Sequence, residues 1–300
     1  MNNFKIIFAT TTRNPSRSFL KSFFQMKKIG ENFKDYRIII IESDSDKNLN
    51  DYFKEISNEP RVIVKRLGSL KNKIKHGKLR TERIAFSRNE YISMIKNSKD
   101  LIGFDFLAIY DSDGASRMIN YKSIEAALKI NTDWTAQFAN QLFFYYDIFA
   151  LRAKGWVEKN PKEIRESLIV NKMSEKKAYI KAFSRNMKHI KKNGKLINVE
   201  SAFGSFGIYK IKDIGNAFYR GNLNGKPYCE HVTFNLDLIA QNKKLFINPN
   251  LISSLGFPQH TFLPKFLIYL LPEKVFKIIY KNFGGSNKKY RFNKLFDYFN

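Results

Sequence analysis

Phe104-Asp105-Phe106-Leu107-Ala108-Ile109-Tyr110-Asp111-Ser112-Asp113 is the stretch on which the reading of this chain turns. An apolar, β-prone run ends in two carboxylates separated by one serine. Such a run between polar flanks predicts a buried strand. In open α/β sheets, ligands bind where the strands end, at their carboxyl edge. Alternation along extended chain would point Asp111 and Asp113 the same way, with Ser112 turned aside. Two hard oxygen donors aimed into a crevice suit Mg²⁺ or Mn²⁺ held jointly with a substrate diphosphate. The same triplet can serve as a turn or helix cap, because aspartate oxygens accept nearby backbone N–H groups.

Working outward, the preceding segments have the same grammar. Phe4 to Ala9 predicts a buried strand running into the polar turn Thr10-Thr11-Thr12-Arg13-Asn14-Pro15, which opens a helix. Arg37 to Ile41 predicts a second strand ending at Glu42. Ser43-Asp44-Ser45-Asp46 then supplies cap chemistry for a helix carrying Leu49, Tyr52, Phe53 and Ile56. Val62 to Val64 predicts a third, short strand, and Lys65 to Arg80 a flexible basic loop. A helix follows from Arg80, with Ile84, Tyr91, Ile92 and Ile95 facing the sheet. Strand and helix alternate, so the first 130 residues predict an α/β layer with a mainly parallel sheet of nucleotide-binding type.

The later chain is more mixed. Trp134 to Ala139 predicts a strand, Pro161 to Gly194 a charged helical region, and Ser201 to Tyr209 a glycine–aromatic entry into another strand. Cys229-Glu230-His231 opens a helix whose Val232, Leu236, Ile239 and Ala240 share one face. Leu245 to Pro249 predicts a last strand stopped by proline. From Pro264 onward, apolar runs are interleaved with lysines. Amphipathic basic segments with aromatic anchors lie on anionic membrane surfaces, or pack back on their own domain. The chain is therefore divided at 1–263, a catalytic domain, and 264–300, a basic aromatic tail suited to a membrane surface.

Composition narrows the classes. The 43% hydrophobic content and 28 Phe argue for a folded protein. Against 27 Asp+Glu stand 53 Lys+Arg, a formal charge of +26, which draws a chain to nucleic acid, anionic lipid or phosphorylated substrates. A single cysteine, Cys229, excludes an internal disulfide framework and a cysteine zinc cluster and fits a reducing compartment. The run Ile6-Ile7-Phe8-Ala9 is too short for a signal peptide, and no uncharged stretch approaches the roughly 18–20 residues that cross a bilayer. The expectation is a soluble or peripheral protein, in the cytoplasm or at the inner face of the membrane.

Several pieces, in order, resemble a known family. Ile40-Ile41-Glu42-Ser43-Asp44-Ser45, Arg80-Thr81-Glu82-Arg83-Ile84-Ala85 with Arg88-Asn89, and Asp111-Ser112-Asp113 resemble the GT-A glycosyltransferases related to fungal capsule α-1,3-mannosyltransferases and to bacterial surface-polysaccharide enzymes. Tyr146-Asp147 with Phe149 and Arg152, and Cys229-Glu230-His231, continue the pattern. Phe149 stands where a tryptophan is expected, and the basic insert at 65–78 has no counterpart.

The resemblance implies a GT-A type fold, a mixed and mainly parallel sheet flanked by helices with a basic amphipathic C-terminal extension. It implies a nucleotide-sugar donor, a saccharide or lipid-linked acceptor, and Mn²⁺ or Mg²⁺. Asp113 becomes the direct metal ligand, with Asp111 on the ion or the ribose. Thr10, Thr12 and Arg13 lie where base and phosphate would sit, Glu42 toward base or ribose, and Arg83 and Asn89 toward the diphosphate or donor sugar. Tyr146, Asp147 and Arg152 would shape the sugar pocket, and Gly204 and Gly207 would let backbone approach the donor. Glu230 would bind the acceptor hydroxyl or act as base. His231 would share that role or coordinate the ion, and His260 is the other late metal ligand. Two competing readings remain: a sugar nucleotidyltransferase, lacking the expected glycine-rich loop after the first strand, and a non-enzymatic polyanion or nucleic-acid binder. Nucleic acid is the less favoured partner.

Overall fold

The computed structural model describes residues 2–46, 49, 53, 56–256 and 265–280. Tyr52 and His260, both candidates from the sequence, lie outside these, as does the chain beyond Tyr280. The apolar runs do become strands: β1 (Asn2–Thr12), β2 (Phe33–Glu42), β3 (Val62–Arg66) and β4 (Phe106–Tyr110). Between them lie α1 (Arg17–Gly30) and α2 (Arg80–Asn97). After β4 come α3 (Tyr121–Leu128), β5 (Ala136–Gln141), α4 (Pro161–Val170), α5 (Glu175–Ala182), β6 (Ile197–Val199) and β7 (Phe206–Lys210). A small hairpin, β8 (Asn222–Leu223) and β9 (Lys226–Pro227), leads to α6 (Glu230–Ala240) and β10 (Leu245–Ser254). Two short helices follow, α7 (Lys265–Leu270) and α8 (Glu273–Ile279).

Eight strands form one mixed sheet in the order β3-β2-β1-β4-β7-β5-β10-β6. Neighbours are parallel from β3 through β4 and between β5 and β10. β7 runs antiparallel to both β4 and β5, and β6 antiparallel to β10. The architecture is the expected α/β one, a mainly parallel sheet flanked by helices. Because side chains alternate across each strand, the sheet feeds two separate layers. Ile6, Phe8, Ile38 and Ile40 pack with Phe19, Phe23 and Met26 of α1 and Ile124 and Ala127 of α3. Ile7, Ala9, Ile39 and Ile41 pack with Tyr91, Ile92 and Ile95 of α2 and Val232, Phe234 and Leu238 of α6.

Several expectations change. β10 is not stopped by Pro249 but continues to Ser254. Its pairing with β5 slips between Asn248 and Ile252, and the missing proline N–H falls in that irregularity. The 161–194 region is two short helices followed by irregular chain, each helix opened by a capping side chain, Asn160 and Ser174. The buried face of α6 includes Phe234, Asn235 and Leu238, while Leu236 is exposed, because the helix is wedged between sheet and α2. Ile84 is only partly buried on α2. The basic stretch 67–79 is held, not loose: the Asp44 carboxylate accepts the Leu70 N–H (2.8 Å), and Arg83 donates to the Gly77 carbonyl.

Candidate active site at the carboxyl edge of the sheet

Registers place the ends of four parallel strands together. Thr12 pairs with Glu42, Glu42 with Arg66, and Ala9 with Ile109. Thr10, Thr12, Glu42 and Asp111 therefore belong to one edge. The reversed strand β7 completes it. Antiparallel pairing sets Phe206 opposite Tyr110, so the loop entering β7 arrives where β4 leaves. There the Asp111 N–H donates to the Ser205 carbonyl at 2.9 Å. Gly204 and Ser205 both adopt left-handed backbone, at φ 63° and 69°. At Gly204 an added Cβ would fall 2.3 Å from the Ala139 carbonyl oxygen, so only glycine fits.

Asp111 lies just beyond the end of β4, and residues 112–118 form consecutive turns. Strand alternation is thus not what aligns the two acids. Asp113 is exposed and accepts the Ala115 N–H at 3.2 Å, which is turn chemistry. The carboxylates are nevertheless close enough to act on each other. Burial and then the Asp113 charge push the Asp111 carboxyl up to about 8, with Arg88 pulling it down and Asp147 and Glu230 pushing it up. Its side chain keeps 33% of its surface open.

The third acid comes from the β5–α4 connection. Asp147 accepts the Gly204 N–H at 3.0 Å. Burial raises it to about 6, against the pull of the Gly204 and Ala150 amides. The fourth, Glu230, is the first residue of α6 and is buried. Its Oε1 accepts the Arg88 Nε–H at 3.2 Å. Arg88, to which the sequence pattern assigns no role, is the centre of this group. It is 4% exposed, stands 3.7 Å from Asp111 Oδ1, donates to the Tyr91 hydroxyl and lies over the Phe203 ring. One cation thus links the acid after β4 to the acid opening α6. A signal is present in the chain: Ala85, Arg88, Ile92 and Ile95 share helical spacing, and an arginine inside an apolar stripe asks for buried acids.

His231 Nε2 lies 3.9 Å from Glu230 Oε1, too far for a hydrogen bond. Its ring is stacked on Phe203 with centroids 3.7 Å apart. Neither ring nitrogen has a hydrogen-bond partner among the described residues. Burial, reinforced by Arg88, drives its pKa well below the usual histidine value, which favours the neutral ring.

Other anticipated residues are occupied by local structure. The Thr10 hydroxyl donates to the Tyr110 carbonyl at 2.8 Å, tying β1 to β4. The Thr12 carbonyl accepts from Ser43, and Arg13 meets Asp46 at 3.3 Å on the surface. Buried Glu42 accepts the Ser45 N–H and faces Arg66 at 3.4 Å. Arg83 pairs with Asp44 at 3.0 Å. Asn89 clamps the backbone of Tyr219 through both ends of its amide. Arg152 is buried and donates to the Leu151 carbonyl at 2.6 Å, so it braces the loop beneath Asp147. Tyr146 is half-buried next to Asp147, and the Gly207 backbone lies against Phe138.

Among the described residues no group of three or more His, Cys, Asp or Glu side chains is close enough to cage a metal ion. The donor set instead fits a hard cation held by one or two carboxylates and completed by substrate phosphates and water. Two surface hollows of ≈ 230 and ≈ 340 Å³, one lined by Ile92, Ile95 and Ile214 and the other by Trp156, Lys188 and Pro249, contain none of the acids. The first is largely apolar, and the second carries Lys188, His189, Lys191 and Lys195 but no carboxylate.

No family model matches the chain, and no curated protein does. Solved structures of similar layout include the mannosyltransferase PcManGT from Pyrobaculum calidifontis in complex with GDP-Man and Mn²⁺, at 8% identity and TM-score 0.48, covering 87% of this chain and 59% of that one. TarS 1–349 of S. aureus aligns at 11% identity and TM-score 0.46, over 97% and 77% of the two chains. Its complex with UDP-GlcNAc gives 10%, 0.46, 92% and 70%. The chain spans little over half of the mannosyltransferase's length. These likenesses concern layout and assign no activity.

Proposed function

We propose that this chain is a metal-dependent glycosyltransferase that moves a sugar from a nucleotide-sugar donor to a saccharide or lipid-linked acceptor in surface-polysaccharide synthesis. The observation that supports this reading is that buried Arg88 joins Asp111 to Glu230 at the carboxyl edge, with Asp113 and Asp147 near enough to raise the Asp111 carboxyl. Asp113, exposed, and Asp111 would hold Mn²⁺ or Mg²⁺, which when bound offsets the negative charge of a departing diphosphate. The bond from the anomeric carbon to the diphosphate oxygen breaks, and one to the acceptor oxygen forms. In an inverting reaction the acceptor's proton passes to a carboxylate. Asp147 suits that transfer, since its raised pKa makes it a better proton acceptor than an ordinary aspartate, yet it is ionised near neutral pH. Glu230 is already engaged by Arg88 and would orient the acceptor hydroxyl. A mannosyl donor, with the fungal-type specificity of the resemblance, is the first to test.

The experiment is thermal shift and donor hydrolysis with GDP-Man and UDP-GlcNAc, with and without Mn²⁺, on the wild type and Asp113→Asn. Stabilisation that needs Mn²⁺ and disappears in the variant is expected. Turnover unchanged in Asp113→Asn would overturn the assignment of that residue. Tight, salt-sensitive polyanion binding without any nucleotide effect would favour the charge-driven alternative, for which the +26 net charge speaks.

A further inference from the structure

The helices that end the described chain carry an arrangement that the acidic site does not use. α7 and α8 are docked by their inner residues. Ile268 and Phe276 are fully buried, and Tyr179 of α5 packs on Phe276 and Tyr280. The Glu273 carboxylate receives the Ser174 hydroxyl at 2.9 Å and the Lys176 N–H at 3.1 Å, closing the start of α5. Lys176 also donates to the Tyr269 and Leu271 carbonyls. The α4–α5 turn and the α7–α8 turn are thereby locked together at one corner of the molecule.

The outer side of that corner is apolar at its tips. Val170, four residues before Ser174, is 82% exposed, and Leu270, at the α7–α8 turn, 74%. Val275 and Ile278, one helical turn apart on α8, are 40% and 60% exposed. Val170 and Leu270 flank the two turns that Lys176 and Glu273 tie together, and Val275 and Ile278 follow on α8, so four exposed aliphatic side chains fall on linked segments and not singly over the surface. The same segments carry exposed lysines: Lys172 and Lys177 from the α4–α5 hairpin, and Lys274 and Lys277 from α8. Of the four acids on α4, α5 and α8, Glu163 and Glu166 are exposed on α4 and the other two are engaged. Glu273 closes the start of α5, Glu175 pairs with Arg165 at 3.3 Å, and Glu166 lies near Lys162. The corner is therefore apolar and positive together.

We propose that this corner is a docking surface for an anionic lipid bilayer, with Val170, Leu270, Val275 and Ile278 entering the headgroup boundary and the four lysines meeting acidic headgroups. Apolar tips contribute through area removed from water, and the lysines through attraction to surface charge. A soluble acidic protein would be met by the lysines alone and would gain less from protruding aliphatic tips. The proposal stands apart from the chemistry of the acidic edge, and either can fail without the other.

The test is flotation of the full chain with phosphatidylcholine vesicles, with and without phosphatidylglycerol. Binding that requires phosphatidylglycerol is expected. Val170→Ser/Leu270→Ser/Ile278→Ser keeps every charge of the protein, so it separates this corner from general basicity. It should bind about tenfold more weakly with an unchanged circular dichroism spectrum and unchanged nucleotide stabilisation. Lys274→Gln/Lys277→Gln should weaken binding to a smaller, salt-dependent degree. Equal binding by the triple serine variant and the wild type would overturn the proposal. So would a dimeric wild type in sedimentation that becomes monomeric in the variant, since the corner would then be an interface between two copies.

Discussion

The two layers that cover the sheet are built differently. The layer of α1 and α3 is closed by rings and aliphatic chains, with Phe23, Met26, Ile124 and Trp134 all at or near zero exposure. In its interior Gln137 donates to the Ala127 carbonyl and accepts from Asn248, while the Tyr110 hydroxyl has no hydrogen-bond partner among the described residues and Glu42 sits at the rim against Arg66. The layer of α2 and α6 is equally buried, yet it contains the Arg88–Glu230 ion pair and a histidine with no hydrogen-bond partner among the described residues. A buried ion pair rarely stabilises a fold beyond what apolar side chains of the same size would supply. Charges kept there point to work at the adjoining edge. One layer holds the sheet together; the other also aims acids at its carboxyl end.

That contrast can be broken by measurement. The largest effect is expected from Arg88→Met, which leaves Glu230 buried without its partner and should cost about 4 kcal/mol in urea unfolding. Adding Glu230→Gln should return part of that loss, because the stranded charge is gone. A variant as stable as the wild type would make the two layers equivalent. In the other layer, Phe23→Ala should cost about 3 kcal/mol through the cavity it leaves. Its turnover per folded molecule should change little, since Gln25, not Phe23, is the α1 residue whose side chain holds the Ser116, Arg117 and Ile119 carbonyls in the turn after Asp113.

Next comes Asp147→Asn, expected to lower turnover about a hundredfold with little change in donor binding. In the wild type, activity should fall as pH drops through about 6, where burial places this carboxyl. That acid limb should be missing from the variant's residual activity. The stability sign runs the other way. A carboxyl raised from 3.8 to about 6 binds its proton more tightly when folded, so stability is lost as pH rises through that window. Asp147→Asn should therefore melt no lower than the wild type at pH 8. The smallest effect belongs to Asn120→Ala, which removes the capping box of α3. It should cost about 1 kcal/mol by thermal unfolding and leave the site untouched.

Much of the sheet is legible in the chain. Apolar runs ending at Glu42 and Tyr110 mark strand ends to within a residue or two, because burial on both faces leaves a continuous β-branched or aromatic signature. The pairing of Asp111 with Asp113 is legible as proximity, though the reason differs: a run of turns brings them together, not extended alternation. Leu236 and Pro249 mislead for related reasons. Helical periodicity identifies a stripe without saying how wide the neighbouring groove is. Proline marks a missing donor without revealing that a bulge can absorb it.

Sequence alone determined the buried strands of the first half, the inward stripe of α2 and the presence of two acids after a buried strand, because each depends on residues a few positions apart. Only tertiary structure decided that Asp111 and Glu230 would meet on Arg88 with Asp147 close by on Gly204, and that His231 would stack on Phe203. Those encounters follow from β7 entering the sheet in reverse and from α6 packing on α2, contacts between distant segments. Local periodicity carries no record of which strand will lie beside which. The geometry that brings the acids together is a property of the packed whole.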